Sequence, residues 1–137
     1  MFIKIDNSNI NILYDFINLN NSSFFRYYNK RDPLKTIKNH IYTTILVDDC
    51  KDIIGYGHID YDNVNWIGIC IVDKYRGMGY GSSILEHLID YSRLIQLDKL
   101  YLTVDNDNKI AIRLYTKYGF NIDNYNHNNY IKMIKNL

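Results

Sequence analysis

The stretch that decides the fold is Ile67-Gly68-Ile69-Cys70-Ile71-Val72-Asp73-Lys74-Tyr75-Arg76-Gly77-Met78-Gly79-Tyr80-Gly81-Ser82-Ser83-Ile84-Leu85-Glu86-His87-Leu88. An apolar, β-branched run is closed by Asp73-Lys74-Tyr75, and the last part carries apolar residues at helical spacing, so the whole reads as strand, glycine-rich turn and helix. Such a turn delivers a helix N-terminus, whose first N–H groups lack intrahelical acceptors and sit at the positive end of the macrodipole. Phosphate is attracted there. Glycines at 77, 79 and 81 let the backbone take positive φ and approach a ligand without a Cβ in the way, and Arg76 adds a fixed charge. Taken alone, the segment is also compatible with a plain glycine-rich turn.

Spacing excludes two common phosphate loops. A G-x-G-x-x-G fingerprint fails because the third glycine position falls on Ser82 or on Ile84, and no Gly-Lys followed by Ser or Thr occurs anywhere in the chain. What is present is Arg76-x-x-Gly79-x-Gly81, which resembles the acyl-CoA pyrophosphate loop of the GNAT superfamily, the acetyl-CoA-dependent N-acyltransferases.

At 137 residues the chain is read as one domain, 1–137, long enough for a genuine core. With 47% hydrophobic and 23% charged residues it has the composition of a soluble globular protein, and a net charge of +1 gives no general pull toward nucleic acid or anionic lipid. The excess of Asn, Ile, Lys and Tyr is that of an AT-rich coding sequence. Cys50 and Cys70 are far apart, which argues against a disulfide framework and for a reducing compartment. Met1-Phe2-Ile3-Lys4-Ile5-Asp6 has no unbroken apolar run and no segment is long enough to span a bilayer, so a cytoplasmic location is expected. The four histidines have no metal-ligand spacing with each other or with either cysteine, so no metal is expected.

Around the central stretch the chain reads in order. Phe2 to Ile5 is a strand, and the Asp6-Asn7-Ser8-Asn9 caps precede a helix with Ile10, Leu13, Phe16 and Ile17 on one side, ending around Leu19. A turn signal over Asn18 to Ser23 is followed by a less regular helical stretch from Phe24 to Lys38, which Pro33 either begins anew or breaks. Ile41 to Val47, Ile53 to Tyr61 and Val64 to Val72 form three successive antiparallel strands, and Gly55 and Gly57 mark a bulge or a close backbone approach. The central helix ends near Gln96. A strand over Lys99 to Val104 then lies parallel to the strand before the helix. A short helix stopped by Gly119 follows, with final strands at Phe120 to Ile122 and Tyr130 to Ile134 joined by an Asn-rich hairpin.

Asn108-x-x-Ala111-x-x-Leu114-Tyr115-x-x-x-Gly119-Phe120 is physically a capped amphipathic helix with a glycine stop, and it resembles the second GNAT signature at the expected distance from the first. The resemblance implies an α/β fold, a mixed twisted sheet of about six to seven strands flanked by about four helices. It further implies that the strand at Ile69, Cys70 and Ile71 splays from its parallel neighbour and pairs with a pantetheine arm. The backbone of Arg76, Gly77, Met78, Gly79, Tyr80, Gly81 and Ser82 would hold the pyrophosphate, Asn108 would face the pantetheine, and Tyr115 would act as general acid for the leaving thiolate. The co-substrate implied is acetyl-CoA and the partner an unidentified primary amine, with backbone N–H groups of the splayed strand stabilising the oxyanion.

Each residue keeps a simpler reading. Asn108 serves as a helix N-cap in any case, Tyr115 fits a core position, and Cys70 fits a packed strand residue better than a nucleophile. Lys74, Lys109, Arg113 and Lys117 are placed to neutralise CoA phosphates or are simply solvated. A protonated amine needs a base. The position where some GNAT members carry a carboxylate corresponds to Thr103, leaving His58, Asp60 and Asp105 as candidates by their location on or beside central strands. The absence of a clear base also leaves open an acyl-CoA-binding module of the same fold without catalysis, or a small interaction domain.

Overall fold

The computed structural model describes residues 1–19, 25–125 and 129–137, with the side chains of residues 124 and 125 outside that description. Seven strands form one sheet in the order β1-β2-β3-β4-β5-β7-β6. In chain order the elements are β1 (Phe2–Lys4), α1 (Ile10–Leu19), α2 (Pro33–Ile37), β2 (His40–Val47), β3 (Ile53–Asp62), β4 (Val64–Ile71), α3 (Tyr80–Leu94), β5 (Lys99–Asp105), α4 (Lys109–Lys117), β6 (Asn121–Tyr125) and β7 (Tyr130–Asn136). Strands β1 to β4 pair antiparallel, β4 and β5 are parallel, and β7 lies antiparallel between β5 and β6.

The sheet is buried on both faces. On one, Leu13 and Phe16 of α1 and Ile37 of α2 pack on Ile45, Val47, Tyr56, Cys70 and Val72. On the other, Ile84, Leu85, Leu88 and Ile89 of α3 and Tyr115 of α4 pack on Ile59, Ile67, Leu100, Leu102 and Val104. Period-2 alternation in β3 serves both: Gly55 and Gly57 lie under α3, and Tyr56 and His58 face the other way. A Cβ on Gly57 would stand 2.8 Å from Ile84 Cγ2 and 3.3 Å from Leu88 Cδ1, so glycine there sets how closely α3 approaches the sheet. A register shift opposite Leu46 and Val47 also puts a bulge at the start of β3, beside Gly55, so of the two alternatives expected for the glycines the close approach is the one seen at Gly57.

Several boundaries differ from the sequence expectation, among them the end of β7, which runs on from Ile134 to Asn136. The helix expected from Phe24 to Lys38 is confined to Pro33–Ile37, where Asp32 caps by accepting from the Lys35 amide and Pro33 starts the first turn. Phe24 itself and the later part of the 18–23 turn lie outside the described residues. From Phe25 to Tyr28 the aromatic side chains pack on the sheet in place of a helical stripe. Helix α3 stops at Leu94 with Gln96 at φ 64°, and Phe120 precedes β6, since it closes α4. Most of the Asn-rich hairpin between β6 and β7 lies outside the described residues.

Candidate functional site

Strands β4 and β5 meet at one register position, Trp66 opposite Tyr101, and diverge beyond it. On its other side β4 is paired with β3 from Val64 through Ile71. Since Val72 N–H donates to Ile54 at 2.9 Å, the alternation of antiparallel hydrogen bonding turns the main-chain groups of Ile67, Ile69 and Ile71 away from β3 and toward β5. Past Trp66 the edge formed by Ile69 and Ile71 has no strand paired with it among the described residues. The Ile71 carbonyl accepts from Arg76 Nε at 3.4 Å, which ties the start of the turn to this edge.

The turn itself opens into α3. Gly77 and Gly79 take φ of 75° and 87°, and a Cβ on either would have nothing within 4 Å, so the left-handed backbone and not crowding calls for glycine. The first amide of this region that finds a backbone acceptor is that of Ser83, on Gly79 O at 3.3 Å; the amides of Gly77, Met78, Gly79, Tyr80, Gly81 and Ser82 have no partner among the described residues. Met78 is 63% exposed, and Arg76 also pairs with Asp73 at 3.1 Å. Unpaired amides, a helix N-terminus and a guanidinium together make an anion cradle.

Helix α4 brings Tyr115 to the same opening. Asn108 caps it, its Oδ1 accepting from the Ala111 amide at 3.3 Å, so the capping reading of Asn108 holds whatever else it contacts. At the other end Gly119 stands at φ 91°, its amide donates to Thr116 O at 3.1 Å, and the Phe120 amide donates to Tyr115 O at 3.0 Å. This is a complete Schellman closure, and its hydrophobic partner is the edge-on contact of Phe120 with the Tyr115 ring, centroids 5.7 Å apart. The Gly-Phe pair therefore fixes the orientation of Tyr115. That ring is 8% exposed and its hydroxyl has no hydrogen-bond partner among the described residues. Burial first, and the nearby Cys70 thiol second, push the phenol above the ordinary tyrosine range, so it is protonated at neutral pH and able to donate. Burial pushes Cys70 up to about 12, which keeps it a thiol and removes its capacity as a nucleophile.

The three base candidates separate. Asp105, at the end of β5, pairs with Arg26 at 3.5 Å. Asp60 is near the end of β3, within 3.5 Å of the Tyr27 hydroxyl, and desolvation followed by the neighbouring Asp62 raises its pKa. His58 is 3% exposed and lies over Gly68 of β4. It belongs to a cluster that sequence reasoning did not assemble: Tyr28, Tyr56 and His58 linked by hydrogen bonds of 2.7 Å each, and His40 stacked on His58 at 4.6 Å while bonded to Tyr27 and Thr43. These residues come from β2, β3 and the segment after α1, so no single stretch of sequence carries the signal. Lys74 lies over the Tyr75 ring, and Thr103 is exposed on β5. Among the described residues no group of three or more His, Cys, Asp or Glu could hold a metal ion, and no helix is long and apolar enough to cross a membrane.

The chain is similar to proteins already known. The chain is 32% identical over 79 residues to the L-amino acid N-acetyltransferase AaaT of Escherichia coli, a match covering 53% of this chain and 49% of that protein. To the spermidine N(1)-acetyltransferase of Vibrio cholerae it is 29% identical over 122 residues, 75% of this chain and 69% of the relative. In several curated relatives the match spans about half of the relative's length, 49% and 53% in two of them. A GNAT-family acetyltransferase structure from Streptococcus pneumoniae superposes with a TM-score of 0.76 at 22% identity, over 100% of this chain and 99% of that one. A ribosomal-protein-alanine N-acetyltransferase from Brucella melitensis gives 0.78 at 15% identity, with the same coverage, and at such identities the likeness concerns the fold. The model of the Acetyltransferase (GNAT) family matches residues 13–120, from within α1 through the cradle and the Tyr115 helix, and the chain belongs to that family.

Proposed function

We propose that this protein transfers an acetyl group from acetyl-CoA to a primary amine of a small molecule or a peptide. The observation that carries the proposal is the opening between β4 and β5 beyond Trp66, flanked by the unpaired amides of 77–82. In this reading Arg76 and the backbone of Gly77, Met78, Gly79, Tyr80, Gly81 and Ser82 grip the pyrophosphate. The free edge of Ile69, Cys70 and Ile71 takes the pantetheine as an added strand, with Asn108 on the same side. Tyr115, protonated and without another partner, gives its proton to the departing thiolate.

The acceptor is an amine by family, and the polyamine and amino-acid acceptors in the names of the matched relatives support that class. A second reading, an acyl-CoA-binding module without turnover, is favoured by one feature: Thr103 occupies the β5 position where the family resemblance offers a carboxylate. One experiment separates the two. Acetyl-CoA is expected to raise the melting temperature, and thiol release is expected with at least one of spermidine, spermine, L-phenylalanine and benzylamine. Stabilisation without thiol release from any amine favours the silent module, and no stabilisation by acetyl-CoA removes both readings.

A further inference from the structure

A buried imidazole usually has partners for both ring nitrogens, and among the described residues Asn106 Oδ1 is the one buried side-chain atom that is both unpaired and shut off from solvent, so a ring nitrogen without a partner has to keep an opening to solvent. His58 satisfies one. Its Nδ1 is bonded to the Tyr56 hydroxyl at 2.7 Å, and Nε2 has no partner among the described residues although the residue is only 3% exposed. The Cε1–Nε2 edge is directed at β4: a Cβ on Gly68 would stand 2.5 Å from Cε1 and 2.9 Å from Nε2, so only glycine leaves the ring room. Gly68 is two residues past Trp66, the last point at which β4 and β5 touch. The unpaired nitrogen therefore lies at the mouth of the opening, on the face of α1 and α2, while Tyr115 packs on the face of α3.

We infer that His58 is the proton acceptor of the acyl transfer, with Nε2 taking the proton of the attacking amine and the Tyr56–Tyr28 pair holding Nδ1 as the N–H donor. The inference rests on the transferase reading above. The nitrogen lone pair forms the N–C bond to the acetyl carbonyl while the C=O π pair moves to oxygen. The N–H proton passes to Nε2, leaving its electron pair on nitrogen. The oxygen pair returns, the C–S bond breaks with its electrons on sulfur, and the thiolate takes the phenol proton of Tyr115. Water then takes the proton from His58 and restores one to Tyr115, so from the neutral amine onward no proton is gained or lost, and the ammonium form gives its extra proton to solvent before the attack.

The groups facing His58 suit this role. Tyr56 on β3 and Tyr28 fix the tautomer; His40 on β2 stacks on the ring at 4.6 Å; the Tyr27 ring lies 4.4 Å away; Arg31 sits over Tyr27; Asp60 is reached through the Tyr27 hydroxyl. Burial, with His40 and Arg31 adding to it, keeps the imidazole unprotonated through neutral pH and available as an acceptor. Weak retention of the proton suits a nitrogen that becomes strongly acidic as it adds to the carbonyl, and favours release afterwards.

The test uses whichever of spermidine, spermine, L-phenylalanine and benzylamine the wild-type protein acetylates fastest. His58→Gln is expected to lower kcat about 100-fold or more, the range of general base catalysis, with KM for acetyl-CoA and its thermal stabilisation retained. His58→Ala is expected to recover turnover linearly with added imidazole, which a merely structural histidine would not do. Independently of any variant, long-range proton–nitrogen NMR of the wild type is expected to show His58 as the neutral Nδ1–H tautomer at pH 7. A kcat within threefold of wild type in His58→Gln, or an Nε2–H tautomer, overturns the assignment while leaving the transferase reading intact. Failure of the wild type to release thiol from any of the four amines overturns both.

Discussion

Replacing Gly57 by Ala puts the packing of α3 on β3 to the test. The new Cβ would stand 2.8 Å from Ile84 Cγ2 and 3.3 Å from Leu88 Cδ1, both side chains fully buried at 0% exposure. Ordinary carbon–carbon contact is about 3.5–4.0 Å, so relief needs a shift of about 0.7–1.2 Å at Ile84. Ile84 sits in the first turns of α3, wedged between β3 and the rest of the core, so the helix has to move as a unit. Overpacking of this kind costs about 1–3 kcal/mol, which for a domain of this size lowers the melting temperature by about 3–12 °C. Because the first turn of α3 continues the anion cradle, acetyl-CoA affinity is expected to fall as well. Urea unfolding and calorimetric titration measure the two effects. Gly77→Ala is the comparison, since its Cβ meets nothing within 4 Å and its cost comes only from φ of 75°. A Gly57→Ala protein within 0.5 kcal/mol of wild type, or less affected than Gly77→Ala, would refute the claim that glycine at 57 sets the seat of α3.

Other expectations follow from the same contacts. Tyr115→Phe removes a hydroxyl that has no partner, so stability should change by less than about 0.5 kcal/mol and acetyl-CoA binding should persist, while kcat drops at least about tenfold in a thiol-release assay. Gly119→Ala should cost about 1–2 kcal/mol in urea unfolding because φ of 91° is strained for any side chain, and the loosened Schellman closure should also lower kcat through Tyr115. Acid should destabilise the fold: His40 is pushed down to about 4 by burial, with Arg31 adding to it, below an unfolded value of about 6.5. The unfolded chain then binds more protons, so this stability is present above pH 6.5 and is lost as pH falls toward 4, by about 2 kcal/mol at pH 5 for His40 alone, readable as a falling urea midpoint. His58, shifted the same way, adds to that loss.

The legible parts of this protein were those written in one continuous stretch. Strand, turn and helix over 67–88 declare themselves because β-branched residues, glycines and helical spacing follow one another without interruption, and the cap Asn108 and stop Gly119 bound α4 in the same way. Gly55 and Gly57 already pointed to a close approach, though not to α3 as the neighbour. The segment after α1 departs from the expected helix before Pro33 because Phe25, Tyr27 and Tyr28 are spent on covering Tyr56 and His58, a tertiary demand that leaves no periodic trace. For the same reason His58 stood level with Asp60 and Asp105 in the sequence: an unpaired ring nitrogen and a glycine beneath it are visible only when β2, β3 and β4 lie side by side. Nor does local pattern fix the insertion of β7 between β5 and β6, since register there is settled by pairing between distant strands.

The central claim is that the amides from Gly77 to Ser82 and the free edge at Ile69 and Ile71 are ligand-binding groups. Amide hydrogen exchange, with and without saturating acetyl-CoA, tests it most directly. Without ligand these amides have no acceptor among the described residues and should exchange fast; with it, protection should rise in 77–82 and at Ile69 and Ile71 together, against little change in β6 and β7. Unchanged exchange at those positions in the presence of bound acetyl-CoA would contradict the account.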